Sequence, residues 1–204
     1  MKALVIGDIH GKKISLPEEA KDVDAVFIVG DFTNADTPEF AEEVLDVFSC
    51  KVFAVPGNMD RKEVLEILEK RGVSIHSKAV EYNGFSILGL GGSNPTPFNT
   101  PFELQEEEIE KALSKFNDIS IAVFHAPPYG LFDWVGGGTS VGSKAIRKWI
   151  EKTKPKVVFC AHIHEHQGVA KFGETLIVKV GTAMQGDAAI VDINDDIIVK
   201  FIKF

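Results

Sequence analysis

Five apolar runs in this sequence end in side chains of metal-ligand type. "VIGDIH" supplies Asp8 and His10, "FIVGD" Asp31, "FAVPGN" Asn58, "IAVFH" His125, and "VVFCAHIH" His162 and His164. Together they offer two carboxylates, one amide oxygen and four imidazoles, with no thiolate. Such a mixed oxygen and nitrogen set suits Mn, Fe, Ni, Co or Zn, whereas calcium takes more oxygen and a structural zinc site more often uses cysteine. Seven ligands are too many for one tetrahedral ion and fit two ions sharing a bridging carboxylate, which points to two-metal hydrolysis. Taken singly, an Asp-x-His pair or an Asn after a strand is an ordinary turn signal, because Asp and Asn accept left-handed backbone and bond their own main chain. The combination is what points to chemistry, since every member stands at the end of an apolar run.

The elements that must position these residues are legible as alternating patterns. "ALVIG", "AVFIVG" and "KVFAV" read as strands, with "TPEFAEEVLDVF" and "RKEVLEILEKRG" as helices between and after them, the grammar of βαβ units. The second half carries more strands, from "FSILGL" through "IIVKFI", and helices at about 102–116 and 143–153. "VAKFGETLIVKV" and "AAIVDINDDIIVKF" read as antiparallel hairpins, so a mixed two-sheet α/β sandwich fits better than a purely doubly wound sheet. In open α/β sheets functional groups gather beyond the carboxyl ends of the strands, so side chains scattered in sequence can meet in space. Helix starts are marked at Thr100-Pro101-Phe102-Glu103 and at Asp60-Arg61-Lys62-Glu63, which assigns Asp60 to helix capping.

With 204 residues, 45% of them hydrophobic, the chain is long enough to bury a core as one domain over 1–204. A net charge of −8 and the lack of any Lys- or Arg-rich run argue against a broad polyanion-binding surface, nucleic acid included. The apolar start of "MKALVIGDIHG" is too short for a signal-peptide core, and no stretch approaches the roughly 20 residues of a membrane span. A cytoplasmic location is the expectation. Cys50 and Cys160, without CxxC spacing, read as buried thiols.

The series DIH at 8–10, GD at 30–31, GN at 57–58, His125 and HIH at 162–164 resembles, in order and spacing, the motifs of the calcineurin-like metallophosphoesterase superfamily. The likeness spans about residues 1–165. It implies a four-layer αββα sandwich, two facing mixed β-sheets flanked by helices. It also implies a ligand assignment: Asp8, His10 and His164 on a first ion, Asn58, His125 and His162 on a second, and Asp31 bridging them. Two divalent ions, Mn favoured, against two carboxylates leave about two positive charges to receive a phosphate. A small phosphate ester is the implied substrate, attacked by a bridging hydroxide, with Asp31, Asn58 and His125 acting through metal and phosphate positioning.

One position departs from the pattern. Members of the superfamily commonly carry GNH followed by an acid, with the His near the leaving oxygen, and here that place is held by Met59. A thioether donates no proton, which removes general-acid help typically worth about 10²- to 10⁴-fold. That shifts the expected substrate from phosphomonoesters toward phosphodiesters, a monoesterase with a substitute donor being the alternative. His76 and His166, the two histidines outside the series, are the candidates for such a donor, His76 reading as structural and His166 as a possible neighbour of the pocket. Two loops, 91–102 and 132–143, could shape substrate choice. Backbone NH groups at Ser140 to Ser143 with Arg147 could hold an anion, and Phe132 or Trp134 could stack a base. A retromer subunit resembles the same superfamily yet serves as a scaffold, which gives a non-catalytic alternative; the intact ligand set speaks against it here.

Overall fold

The computed structural model describes residues 1–204. In chain order the elements are β1 (Lys2–Ile6), β2 (Ala25–Val29), α1 (Phe40–Leu45), β3 (Lys51–Val55), α2 (Lys62–Lys70), β4 (Lys78–Tyr82), β5 (Phe85–Leu90), α3 (Glu106–Leu113), β6 (Ile121–Phe124), β7 (Trp134–Val135), β8 (Thr139–Ser140), α4 (Lys144–Thr153), β9 (Val157–Cys160), β10 (Gly168–Phe172), β11 (Thr175–Lys179), β12 (Asp187–Ile193) and β13 (Ile197–Lys203). They form two mixed sheets, ordered β13-β12-β1-β2-β3 and β10-β11-β9-β6-β5-β4, with β7 and β8 as a separate small hairpin. β1, β2 and β3 run parallel, as do β5, β6, β9 and β11. Antiparallel strands close the edges: the β12-β13 hairpin on one sheet, β4 and β10 on the other.

Side-chain alternation sorts these strands into layers. Val5, Phe27, Val29, Phe53 and Val55 of the first sheet meet Ile87, Val123, Phe159 and Val178 of the second in a fully buried central core. Their neighbours point outward: Leu4, Ile6, Val26 and Ile28 pack on Val44 of α1 and Val64 and Leu68 of α2. On the far side Leu88, Ala122, Phe124 and Val158 pack on Ile109 of α3 and Ile146, Trp149 and Ile150 of α4. The result is the expected αββα sandwich. Strands buried on both faces need apolar residues at nearly every position, which is why they read as continuous runs. Each buried Val, Leu, Ile or Phe contributes roughly 1.5–3 kcal/mol relative to exposure. No helix is long and apolar enough to cross a membrane.

Three expectations are corrected. The helix placed at 102–116 begins later, at Glu106, where Gln105 and Glu108 form a reciprocal capping box. The Thr100-Glu103 pair does form, with the Glu103 carboxylate accepting from the Thr100 backbone N–H at 2.8 Å and from its hydroxyl at 2.7 Å, but it closes a turn. Asp60 is not a cap, since Arg61 precedes α2 without any side-chain cap. Cys50, read as buried, is only half-buried, whereas Cys160 is buried.

His76, just before β4, ties that segment to the end of β5 within the second sheet. Its Nδ1 accepts the Gly91 N–H at 3.0 Å, and Phe102 meets its ring edge-on at 5.4 Å. Burial pushes the imidazole down from 6.5 to about 4, so the folded protein binds fewer protons than the unfolded chain within that window. Stability carried by the neutral ring is complete above about pH 6.5 and is lost as pH falls toward 4, amounting to about 2 kcal/mol by pH 4.5. Denaturant unfolding of metal-free protein at pH 7 and 4.5 should show this loss shrinking in His76→Gln, which keeps an acceptor for Gly91; an unchanged loss would contradict it.

Candidate metal centre

All seven sequence-predicted residues come together where the parallel strands of both sheets end. Asp8 follows β1, Asp31 β2, Asn58 β3, His125 β6, and His162 and His164 β9. Two groups of side chains place their ligand atoms within 4.8 Å of one another: Asp8, His10 and His164, and Asp31, His125 and His162. Asp31 stands between them. Its Oδ2 lies 3.6 Å from His10 Nε2 and 3.4 Å from His125 Nε2, one histidine of each group. Its Oδ1 accepts the Met59 N–H at 2.8 Å, so one oxygen is held by main chain and the other faces the centre.

Neighbouring groups fix the histidine tautomers. His125 Nδ1 lies 2.7 Å from the Val29 carbonyl, which can only accept, so Nδ1 carries the hydrogen and Nε2 presents its lone pair. Asn34 treats His10 the same way. Its Nδ2 donates to the His10 carbonyl at 3.2 Å, which turns its Oδ1 to His10 Nδ1 at 2.7 Å. Asn58 is oriented by a relay, because Thr100 gives its hydroxyl hydrogen to Glu103 and thus accepts from Asn58 Nδ2 at 3.0 Å. Asn58 Oδ1 is left facing His125 Nε2 at 2.9 Å. Two acceptors that close require a cation between them, a proton or a metal ion. The donor set therefore fits divalent ions, and the outward nitrogens are braced as ligating histidines usually are.

Electrostatics follow from burial. Asp8 is fully buried; burial alone would raise its carboxyl, yet His164, His125 and Lys179 hold it well below the usual carboxylate range. Burial opposes charge on His125, but Asp31 outweighs it and, without an ion, lifts the imidazole to about 9, so a proton holds Nε2 at neutral pH until an ion displaces it. His162, half-buried, is pushed down to about 4 by loss of water around its ring and by the neighbouring His125. The backbone here is strained: Asp8, His10, Asp31 and His162 have φ of 54°, 50°, 55° and 74°, a left-handed region costly for residues with a Cβ. Main-chain bonds hold that geometry, Asp8 N–H to Gly30 O at 3.0 Å and His10 N–H to Asp31 O at 3.0 Å, while Thr182 Oγ1 donates to Asp8 O at 2.9 Å.

Other residues were missed or misassigned by sequence reasoning. Asp60 is fully buried and accepts from the N–H groups of Phe32, Thr33 and Gly57 and from the Thr33 hydroxyl. It staples the loop after β2 to the loop after β3. Asn34 carries no pattern that marks it, and the spacing of Thr100 with Glu103 marks a helix start but not the bond by which Thr100 orients Asn58. Lys179 is fully buried, donates to the Val180 carbonyl at 2.8 Å, and is pushed down by burial. The helix start at Ser140 to Ser143, which could have held an anion, is already filled. Ser143 caps α4, and the Glu106 carboxylate takes the Ser143 hydroxyl and the N–H groups of Lys144 and Ala145. Arg147 is spent on Glu151 and the Tyr129 carbonyl.

The centre opens into a cleft of about 850 Å³ bordered by Met59, by Asn94 to Thr100 and by Val135, Val141 and Glu165. Both anticipated loops thus reach it, but Phe132 and Trp134 do not border it. Phe132 lies where a Cβ on Gly168 would sit, 2.8 Å away, and Trp134 meets His166 edge-on at 5.3 Å. His166 bonds the Trp134 carbonyl at 2.8 Å and is also outside the cleft.

A family model for calcineurin-like phosphoesterases matches residues 1–166. The uncharacterized protein MJ1162 of Methanocaldococcus jannaschii is 39% identical over 192 residues, covering 88% of this chain and 87% of its own. Among solved structures, TT1561 of Thermus thermophilus superposes with a TM-score of 0.72 at 18% identity, covering 98% of this chain and 97% of that one. A structure described as a novel archaeal phosphodiesterase gives 0.58 at 12% identity, covering 99% and 100%. These two share the fold.

Asp60→Asn replaces an acceptor with an amide that meets the same donors poorly. Loss of such a brace behind ligands typically costs about 10- to 100-fold in metal affinity. Calorimetric Mn titration of folded Asp60→Asn should show that weakening; unchanged affinity would mean that the loop staple does not support the centre.

Proposed function

Since this chain belongs to the calcineurin-like phosphoesterase family, we propose that it is a phosphodiesterase using two divalent ions. Asp8, His10 and His164 hold one ion, Asn58, His125 and His162 the other, and Asp31 bridges them. The observation that carries the reading is the position of Asp31 Oδ2 between His10 and His125, with the lone pairs of both turned inward. Ions bound there supply positive charge for phosphate oxygens and acidify a water that can serve as nucleophile. Mn is the favoured ion, with Fe, Ni, Co and Zn suited to the same donors.

The preference for diesters rests on Met59. It borders the cleft beside Asn58, and its N–H is spent on Asp31. Both histidines that could replace the missing acid are placed elsewhere, His76 with Nδ1 bonded to Gly91 and His166 on the Trp134 carbonyl. Monoester transfer through a loose transition state leaves nearly full charge on the departing oxygen, so it suffers most without a proton donor. What the chain contributes is position: Asn58 is locked by Thr100 and Glu103, His10 by Asn34, and His125 by Val29.

Metal-free protein supplied with Mn should cleave bis(p-nitrophenyl) phosphate, an activity that Asn58→Ala should lose, and it should cleave a dialkyl phosphate much faster than the matching alkyl monoester, whose departing alkoxide most needs the missing acid. A faster monoester would overturn the diester preference, and no Mn-dependent turnover would overturn the enzyme. Met59→His should raise kcat/KM on an alkyl-leaving diester by about tenfold or more while barely altering the p-nitrophenyl ester. Equal gains on both would contradict a missing acid.

A further inference from the structure

We propose that the cleft selects a phosphodiester whose second ester group is apolar and uncharged, and that Phe98 receives that group. This rests on the phosphodiesterase reading above and names its substrate class. Phe98 is 82% exposed, more than any other large hydrophobic side chain, and it stands on the cleft wall facing the metal centre's mouth. Pro95, Pro97 and Pro101 share that wall with Asn94, Thr96, Asn99 and Thr100, and Val135, Val141 and Met59 add apolar surface. Large apolar side chains left open to water beside a reactive centre mark a surface meant to be covered.

Polar groups of the same wall are already engaged. The Thr96 and Thr100 hydroxyls both donate to Glu103, at 2.6 and 2.7 Å, and Asn94 Nδ2 donates to the Val141 carbonyl at 2.9 Å. Thr96 Oγ1 also accepts the Phe98 N–H at 3.2 Å, which fixes the main chain that presents the ring. Asn99 has a free amide, which can meet a neutral group but compensates no charge.

Charge narrows the class further. No lysine or arginine borders the cleft, so a second phosphate, a polynucleotide or a carboxylate beyond the reacting phosphorus would find no cation. Glu165 stands on the cleft and repels such groups. An aryl or alkyl group against Phe98 instead gains apolar contact.

Phosphinates test this without turnover, because they carry the diester's single charge and have no ester bond to break. By calorimetry, Mn-loaded protein should bind diphenylphosphinate about tenfold or more tighter than dimethylphosphinate, the scale on which apolar pockets discriminate. Phe98→Ala, at an exposed site, should bring the two near parity without weakening dimethylphosphinate. (4-Carboxyphenyl)phenylphosphinate should bind more weakly than diphenylphosphinate, with the gap narrowing in Glu165→Gln. Equal binding of the diphenyl and dimethyl compounds, a preference that survives Phe98→Ala, or tight binding of the carboxylate would each overturn the inference. Bis(p-nitrophenyl) phosphate turnover separates the two failures: a protein that cleaves it but shows no such preference loses only this inference, and one that does not cleave it loses the phosphodiesterase reading as well.

Discussion

The Asp31 carboxylate is almost wholly withdrawn from water, with 2% of its surface exposed, and the structure around it is shaped by the cost of keeping a charge there. An ionised carboxylate in such a place needs hydrogen bonds and opposite charge. Main chain supplies the first through the Met59 N–H. Two histidines from separate sheets face its other oxygen, and whatever cation they share completes the compensation. A second carboxylate, Asp60, lies close enough that burial and the Asp31 charge together push it up to about 7, against the pull of its main-chain donors. Two buried acids side by side are tolerated when one takes up a proton or when concentrated positive charge lies beside them, and a dinuclear centre would supply the second.

That crowding sets local sequence tightly. A Cβ on Gly57 would lie 2.0 Å from Asp31 Oδ1, and one on Gly30 would lie 2.6 Å from His125 Nδ1, with φ there at +90°. Neither position can carry a side chain without displacing a central group. Left-handed backbone at Asp8, His10 and Asp31 is held by bonds between the loops that follow β1 and β2, and that at His162 by its N–H on the Asp8 carboxylate. Parallel strands bring these loops to one end of the sandwich, and the two sheets, packed through Phe27, Phe53 and Phe159, bring the two groups of ligands face to face. Strain of this kind persists where the surroundings over-determine it, as at functional sites.

The sandwich was readable because strands buried on both faces are apolar throughout and stop abruptly at the polar residues they deliver. Convergence of those residues followed from parallel strand direction. What failed were readings that treated a local pattern as complete. Asp60 with Glu63 has the spacing of a capping box, but three buried N–H groups near Asp31 compete for the carboxylate and win it. The N-terminus of α4 could be read as a place for an anion, yet Ser143 caps it and Glu106, remote in sequence, already occupies it. His166, a candidate neighbour of the pocket, lies outside it because the chain turns after β9, its N–H reaching the Ile163 carbonyl. Asn34 braces the centre through a tertiary contact that no spacing announces, and the Thr100-Glu103 spacing was legible as a local pair without showing that Thr100 would orient Asn58.

The central claim is that Asp31 joins two ions into one centre. Electron paramagnetic resonance of protein loaded with two Mn(II) per chain addresses it directly, because a shared carboxylate couples the spins of the ions it bridges. The account predicts an exchange-coupled spectrum that collapses to that of isolated ions in Asp31→Asn. A spectrum of magnetically independent ions in the unaltered protein, or coupling that survives Asp31→Asn, would contradict it.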